Sequence, residues 1–419
     1  MAPHPDGPMD KPVSPIQVAF TNRNDCLIRP GGDTVQLQQT RHYLEQAYPV
    51  QTRLCQEPAE LETFATLDLV HIFNVGMIDA ALSALALAQK RKLPVALTPI
   101  HWDHRDAIYV AWLAHRLRLA VPAPWMRPVQ PWFYRLEYWR HRLTGSQKAL
   151  YRNPKFNAAC QKLLNECDLL LPNSDEELAQ LSEHFEVDLN TLKAKTVVVP
   201  NALDRTLSQS YNGQTHTART ALPEALNGVS NFVLQVGRVE PRKNQAALIQ
   251  ALWQERQIPI VLVGSAYSDK YAQVIRTMAA QRGNVYWLPE VAHEAVYNLY
   301  RHARVHVLPS FVESPGLVSL EALACGCEVV VSGHPYTPLR YYQLDQVAHV
   351  CDPYSPKSIR KAILAAFDQP KAQPLPPGYL EQYSYERVAA LTWKGYQQLL
   401  QPAHPERVPQ AHARTHQQH

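Results

Sequence analysis

The chain has 419 residues, enough for two domains of ordinary size. Its 41 basic and 37 acidic residues leave a net charge of +4, too even for a general nucleic-acid binder, so any electrostatic function must come from local clusters. Hydrophobic residues at 46% and charged residues at 19% fit a folded chain, and no apolar run reaches the ~18 residues that span a bilayer.

Residues 1–15 are Pro-rich and polar, without an apolar stretch like that of a signal peptide, and are expected to be a tail. Strands are predicted at Ile16–Phe20, Leu67–Asn74, Val95–Pro99, Leu169–Asn173 and Thr196–Pro200. A second set follows at Phe232–Val236, Ile258–Val263, Val285–Leu288, Val305–Pro309 and Glu328–Ser332. Most are continuously apolar, as parallel strands covered on both faces are. Helical patterns lie between them, among them Ala80–Lys90, Asp175–Glu186, Lys243–Trp253 and Ser314–Cys325. This alternation predicts an α/β protein with two parallel sheets built from βαβ units. The polar stretch Ser208–Ser230 divides the series as a linker, and residues 401–419 form a second tail. The seven cysteines show no paired framework and predict reduced thiols in a cytoplasmic protein.

Two segments carry chemistry. Gly237-Arg238 to Lys243-Asn244 follows a strand and opens a helix. Glycine there admits a ligand close to the backbone, a helix start offers free N–H groups, and Arg238 and Lys243 add positive charge. The combination suits a phosphate or diphosphate, although a loop with solvated basic residues has the same composition. The second segment runs from Pro309 to Gly326. Glu313 lies in the loop before a helix and Glu321 about two turns into it, with Gly316 and Leu317 at the helix start. A carboxylate accepts from neighbouring hydroxyls of a sugar or ribose. Glu321 stands in an otherwise apolar helix, where a charge is costly unless it faces a cleft with a partner.

The Glu313–Glu321 spacing resembles the E-x7-E motif of retaining glycosyltransferases of family GT4, with GT-B architecture. VHVLPSFVESPGLVSLEALACGCEVVVS and FVLQVGRVEPRKNQAALIQAL are similar to that family over long runs. Gly31-Gly32 before the helix Thr34–Leu44, HIFN at 71–74, VVVPNALD at 197–204 and the closing SYERVAALTWKGYQQLL extend the resemblance over most of Ile16–Leu400. It implies two Rossmann-like domains facing a cleft. Residues 16–207, joined by a returning helix at 380–400, would bind the acceptor, and residues 231–379 the nucleotide-sugar donor. Carried over, Arg238 and Lys243 would bind the donor diphosphate and the amides of Gly316 and Leu317 its oxygens. Glu313 would contact the transferred sugar and Glu321 the ribose. Gly32 would let the chain pass near the phosphates. His101 would stand near the sugar.

The chain departs from the pattern at Asn201-Ala202-Leu203-Asp204, where the family often reads Asn-Gly-Val-Asp, and at Gly264-Ser265-Ala266, where Gly-x-Gly is usual. It has no Asp-x-Asp triplet to hold a metal with a nucleotide diphosphate, so transfer without metal or other cofactor is expected. Two readings compete with a transferase: a GT-B nucleotide-sugar 2-epimerase, and a non-catalytic sugar- or nucleotide-binding protein. Residues 104–155 hold ten basic and two acidic residues, and Trp112, Trp125, Trp132 and Trp139. Prolines at 122, 124, 128 and 131 exclude one long helix. Tryptophan beside arginine suits peripheral attachment to an anionic membrane surface, or an aromatic-lined acceptor groove.

Overall fold

The computed structural model describes residues 14–24, 26–28, 32–144, 154–203, 222–289, 291–369 and 375–401. Two all-parallel sheets divide them. The first has five strands in the order β2-β1-β3-β4-β5: β1 Ile16–Thr21, β2 Val50–Cys55, β3 Leu69–Phe73, β4 Val95–Thr98 and β5 Leu169–Leu170. The second has six, in the order β11-β10-β9-β6-β7-β8: β6 Val233–Val236, β7 Ile260–Val263, β8 Val285–Leu288, β9 Val305–Leu308, β10 Glu328–Ser332 and β11 His349–Cys351.

Each sheet is apolar on both faces, which is why its strands read as unbroken hydrophobic runs. Val18 and Phe20 of β1 face one cluster and Ala19 faces the other. Leu234 of β6 points to one side of the second sheet and Val233 to the other. The sequence pattern missed β2 and β11. VQTRLC alternates exposed and covered positions as an edge strand does, and β11 has only three residues.

Thr196–Pro200 is corrected. It runs beside β5 and makes parallel bonds, from Leu170 N to Lys195 O (2.8 Å), Val197 N to Leu170 O (3.0 Å) and Val199 N to Pro172 O (2.8 Å). Pro172 has no N–H to return, so the ladder stops at a single bridge, Leu170 with Thr196. The expected helix from Lys243 is a 3-10 turn, Pro241–Lys243, then Asn244 in the left-handed region (φ 62°), then a helix over Gln245–Ala251. The helix expected from Ser314 begins at Leu317, because Pro315 and Gly316 (φ 84°) do not continue one backward.

The C-terminal helix Tyr385–Leu400 returns to the first sheet. Tyr385 stacks on Tyr43 (5.3 Å) and Trp393 on Tyr48 (5.4 Å), and Tyr396 OH lies 2.7 Å from His71 Nδ1. A Cβ on Gly395 would stand 3.0 Å from Leu169 Cδ2, so glycine sets how closely the helix lies on β5. Residues 208–221 of the expected linker, residues 204–207 before it, and both expected tails apart from residues 14, 15 and 401, lie outside the described residues. The described part of the linker holds a 3-10 turn, Glu224–Leu226, with Leu226 buried.

Candidate active site

The two sheets meet through the loops at their strand ends. Asn173 and Asn201, each directly after a proline, grip Ser314 from the first domain's side. Asn173 Nδ2 donates to Ser314 Oγ (2.6 Å) and Asn201 Nδ2 to Ser314 O (2.8 Å). Tyr342 OH bridges the same pair, donating to Asn173 O (3.1 Å) and accepting from Asn201 N (2.9 Å). Sequence reasoning passed over Asn173. Its signal is the repeated Pro-Asn step, at 172–173 and 200–201, where a strand-like run ends. Glu176 Oε1 accepts from Arg340 N (2.8 Å), and Trp102 Nε1 donates to Pro335 O (2.9 Å). An apolar cluster joins Trp102, Tyr109 and Met126 to Phe311, Tyr336 and Tyr354 across the same junction.

Glu313 and Lys243 come together here. β6 and β9 are sheet neighbours, and the loops leaving them bring Lys243 Nζ to 2.6 Å from Glu313 Oε1, with side-chain exposures of only 13% and 7%. Gln235 Nε2 holds Lys243 O (2.6 Å), and Asn244 Nδ2 donates to Pro309 O (3.0 Å), tying the two loops together. Gly316 shapes the other side. A Cβ there would stand 3.1 Å from Glu313 Oε2 and 3.0 Å from Leu308 Cδ2, so both its φ and its space favour glycine. The helix Leu317–Ala324 starts at that glycine; the first N–H groups of a helix have no partner four residues back within it, and of these Ser319 N turns to Gly316 O (2.8 Å).

Glu321 is half-buried and accepts from Tyr300 OH (3.3 Å). Arg238 is 56% exposed and lies over the Tyr267 ring at 5.4 Å. Tyr267 belongs to the loop after β7, where the Gly-x-Gly pattern is incomplete. Gly264 is nevertheless required, because a Cβ there would meet Gly237 O at 2.3 Å. Arg242 binds Glu240 (2.8 Å). Gly32 opens the helix Gly32–Ala47, and a Cβ added to it would meet nothing within 4 Å, while Arg23 in the same loop is bound to Asp33 (2.9 Å).

His101 is buried. Its Nε2 lies 2.9 Å from His184 Nδ1, and His184 Nε2 lies 3.4 Å from Asp103 Oδ2. Burial, then the neighbouring His184, pushes the His101 pKa down to about 3, so its imidazole is neutral. Burial opposes ionisation of Asp103, but bonds from His184 and Arg105 outweigh it and hold that carboxyl well below the usual range. Behind His101, the fully buried Glu177 accepts from His101 N (2.5 Å) and Asn173 N (2.6 Å). Burial raises its pKa to about 7 against the pull of those two bonds. His104 is pushed down to about 4 by burial and by Arg242 across the junction. Asp103, Glu177 and His184 were not singled out from sequence. Among the described residues no three His, Cys, Asp or Glu side chains gather as metal ligands would.

Residues 222–375 match the family described as glycosyl transferases group 1. Residues 222–375 thus form a group 1 glycosyl transferase domain. Relatives of this group 1 domain include the D-inositol 3-phosphate glycosyltransferases of Kineococcus radiotolerans, 30% identical over 41% of each chain, and of Mycobacterium leprae, 29% identical over 53% of this chain and 50% of that one. The chain thus spans two fifths to one half of the curated relatives it matches. The whole fold is GT-B. Sucrose-phosphate synthase from Thermosynechococcus elongatus superposes with a TM-score of 0.64 at 18% identity, covering 92% of this chain and 99% of that one. HepE of Anabaena, solved with UDP and glucose, gives 0.59 at 16% identity, over 92% and 100%. The trehalose-phosphate synthase of Burkholderia xenovorans, solved with glucose-6-phosphate, gives 0.58 at 10%, over 89% and 84%.

Proposed function

We propose that the protein is a retaining, hexosyltransferase-type enzyme that moves a sugar from a UDP-sugar to a glycan, lipid-linked or small-molecule acceptor without a metal. The Lys243–Glu313 pair carries this reading: a largely buried cation and carboxylate held 2.6 Å apart beside the helix start at Gly316 and Leu317. UDP in the Anabaena neighbour and a sugar phosphate in the Burkholderia neighbour support the donor class and a sugar-like acceptor.

In this reading Lys243 and Arg238 neutralise the diphosphate, whose charge grows as the glycosidic bond to it breaks. The amides of Gly316 and Leu317 take phosphate oxygens at the helix start. Gly32, whose surroundings are open, leaves room for the phosphates on the facing loop. Glu321, oriented by Tyr300, accepts from the ribose hydroxyls, and Glu313 from those of the sugar. His101 serves as a neutral hydrogen-bonding group, since a proton on it is disfavoured throughout the neutral range. The acceptor oxygen bonds to the anomeric carbon on the face that the diphosphate leaves, and the acceptor's proton passes to a leaving phosphate oxygen.

The test is a thermal-shift panel of UDP-, GDP- and ADP-sugars, followed by assignment of the product's anomeric configuration in the presence of a chelator. UDP-sugars should stabilise most, and the product should keep the donor's configuration. Epimerised donor formed without any acceptor, or an inverted product, would overturn the reading.

A further inference from the structure

The helix Gln130–Thr144 has two faces. On the inner one, Gln130 Nε2 donates to Asp106 Oδ1 (3.0 Å) and Tyr134 OH to Arg105 O (2.7 Å). Phe133 is buried with its ring centroid 5.1 Å from Tyr109 and 5.0 Å from Trp112. Positions 130, 133, 134 and the buried Glu137 lie on one side of a helix and fix it to the Arg105–Trp112 helix. On the outer face Trp132 is 68% exposed, Leu136 70% and Trp139 57%, at i, i+4 and i+7. Trp125, 59% exposed, and Val129 carry the row back through the preceding Pro124–Val129 turn. Arg135 lies 5.2 Å over the Trp132 ring, so positive charge borders the row. Single exposed apolar residues are ordinary, but a row of them on a helix already anchored by its other face marks an interaction surface.

We propose that this row docks on an anionic lipid surface. The sign of the charge that this part of the sequence carries selects the occupant. Residues 104–155 hold ten basic and two acidic residues. Of the ten, Arg105 is bound to Asp103 and Arg127 to Asp352. A second copy of this chain would set two such basic segments against each other. An anionic bilayer supplies opposite charge, and its headgroup layer accommodates an indole ring with its polar N–H. A helix lying in the surface plane sinks Trp132, Leu136 and Trp139 while arginines meet the headgroups, each worth about fivefold in binding. This surface is separate from the proposed transfer chemistry, so its test does not depend on activity.

The full chain should co-sediment with phosphatidylglycerol–phosphatidylcholine vesicles at low salt. Binding should drop by about tenfold or more with pure phosphatidylcholine or at high salt. Replacing Trp132, Leu136 and Trp139 with serine should abolish binding at low salt, and Arg135→Glu with Arg140→Glu and Arg142→Glu should weaken it. The serine variant's melting temperature reports that it still folds. Wild-type protein that stays in the supernatant with anionic vesicles at low salt overturns the proposal, as does undiminished binding by the serine variant. So does a wild-type dimer, seen by light scattering, that the serine substitutions dissolve.

Discussion

Lys243 and Glu313 are 70 positions apart in sequence and 2.6 Å apart in space, joined because β6 and β9 are adjacent in the sheet and both loops turn into the same cleft. Each is the other's counter-ion while no donor is bound. Lys243→Met would leave a largely buried carboxylate without its cation, at a cost on the order of 3 kcal/mol. Glu313→Gln, which keeps the shape and removes the charge, should cost less. In the double variant about 1–3 kcal/mol of the Lys243→Met loss should return, because the pair is directly coupled. Denaturant unfolding of the three variants measures this. Strict additivity would show that the contact is not an energetic pair.

Donor binding should separate the two carboxylates. Glu321→Ala should weaken UDP binding by about 10- to 100-fold, the loss of a hydrogen bond to a charged group in a closed site. Glu313→Gln should leave UDP affinity close to wild type and lower turnover, since its proposed partner is the sugar. Tyr300→Phe, which removes only the bond that orients Glu321 (3.3 Å), should fall between wild type and Glu321→Ala. Calorimetry with UDP and steady-state kinetics give the ordering, and an unchanged UDP affinity in Glu321→Ala would remove Glu321 from the donor site.

The sheets were legible in the sequence because parallel strands covered on both faces write themselves as apolar runs; β6 to β10 show this within a residue or two at each end. Val50–Cys55 was hidden because an edge strand with exposed positions shares its alternation with loop sequence. The Glu313–Glu321 spacing was visible as two charges around an apolar helix start. What it could not show is that Glu313 faces Lys243, a relation created by strand order and not by spacing. The Asp103–His184–His101 chain was invisible for the same reason. His184 lies 83 residues after His101, on the helix Asp175–Phe185, and nothing local marks it.

The junction between domains should respond to single bonds at its rim. Tyr354 OH donates to Asp106 Oδ1 (2.6 Å) and Arg127 is bound to Asp352 (2.6 Å), so each contact ties a residue before the Pro154–Glu166 helix to the second domain. Tyr354→Phe combined with Arg127→Ala should raise the radius of gyration measured by X-ray scattering, and saturating UDP-sugar should bring it back toward the wild-type value. Equal profiles for wild type and variant would show that the apolar cluster around Trp102 and Phe311 holds the domains without these bonds.

Glu177 should leave a mark on stability against pH. Burial raises its pKa from 4.5 to about 7, so between those values the folded chain holds a proton that the unfolded chain has released. Stability therefore falls as pH rises from 4.5 to about 7 on account of this group. Its neighbour His101 acts in the opposite sense. Burial lowers it from 6.5 to about 3, so below 6.5 the unfolded chain takes up a proton that the folded chain refuses, and stability falls as pH drops. His71 and His306, buried and likewise pushed to about 3, and His104, at about 4, add to that acid loss. Between 4.5 and 6.5 Glu177 offsets one histidine's worth of proton uptake. Glu177→Gln removes the offset. The variant should be less stable at every pH, since an amide cannot accept from both His101 N and Asn173 N, and its stability should climb more steeply with pH by about 1.4 kcal/mol per unit between 5 and 6. Above 6.5 the wild type should still lose stability up to about pH 7 while the variant stays level. Denaturation curves at half-unit steps from pH 5 to 8 read both slopes. Parallel curves for the two proteins would mean that Glu177 is ionised in the folded state well below neutral pH, held so by the two N–H groups it accepts from.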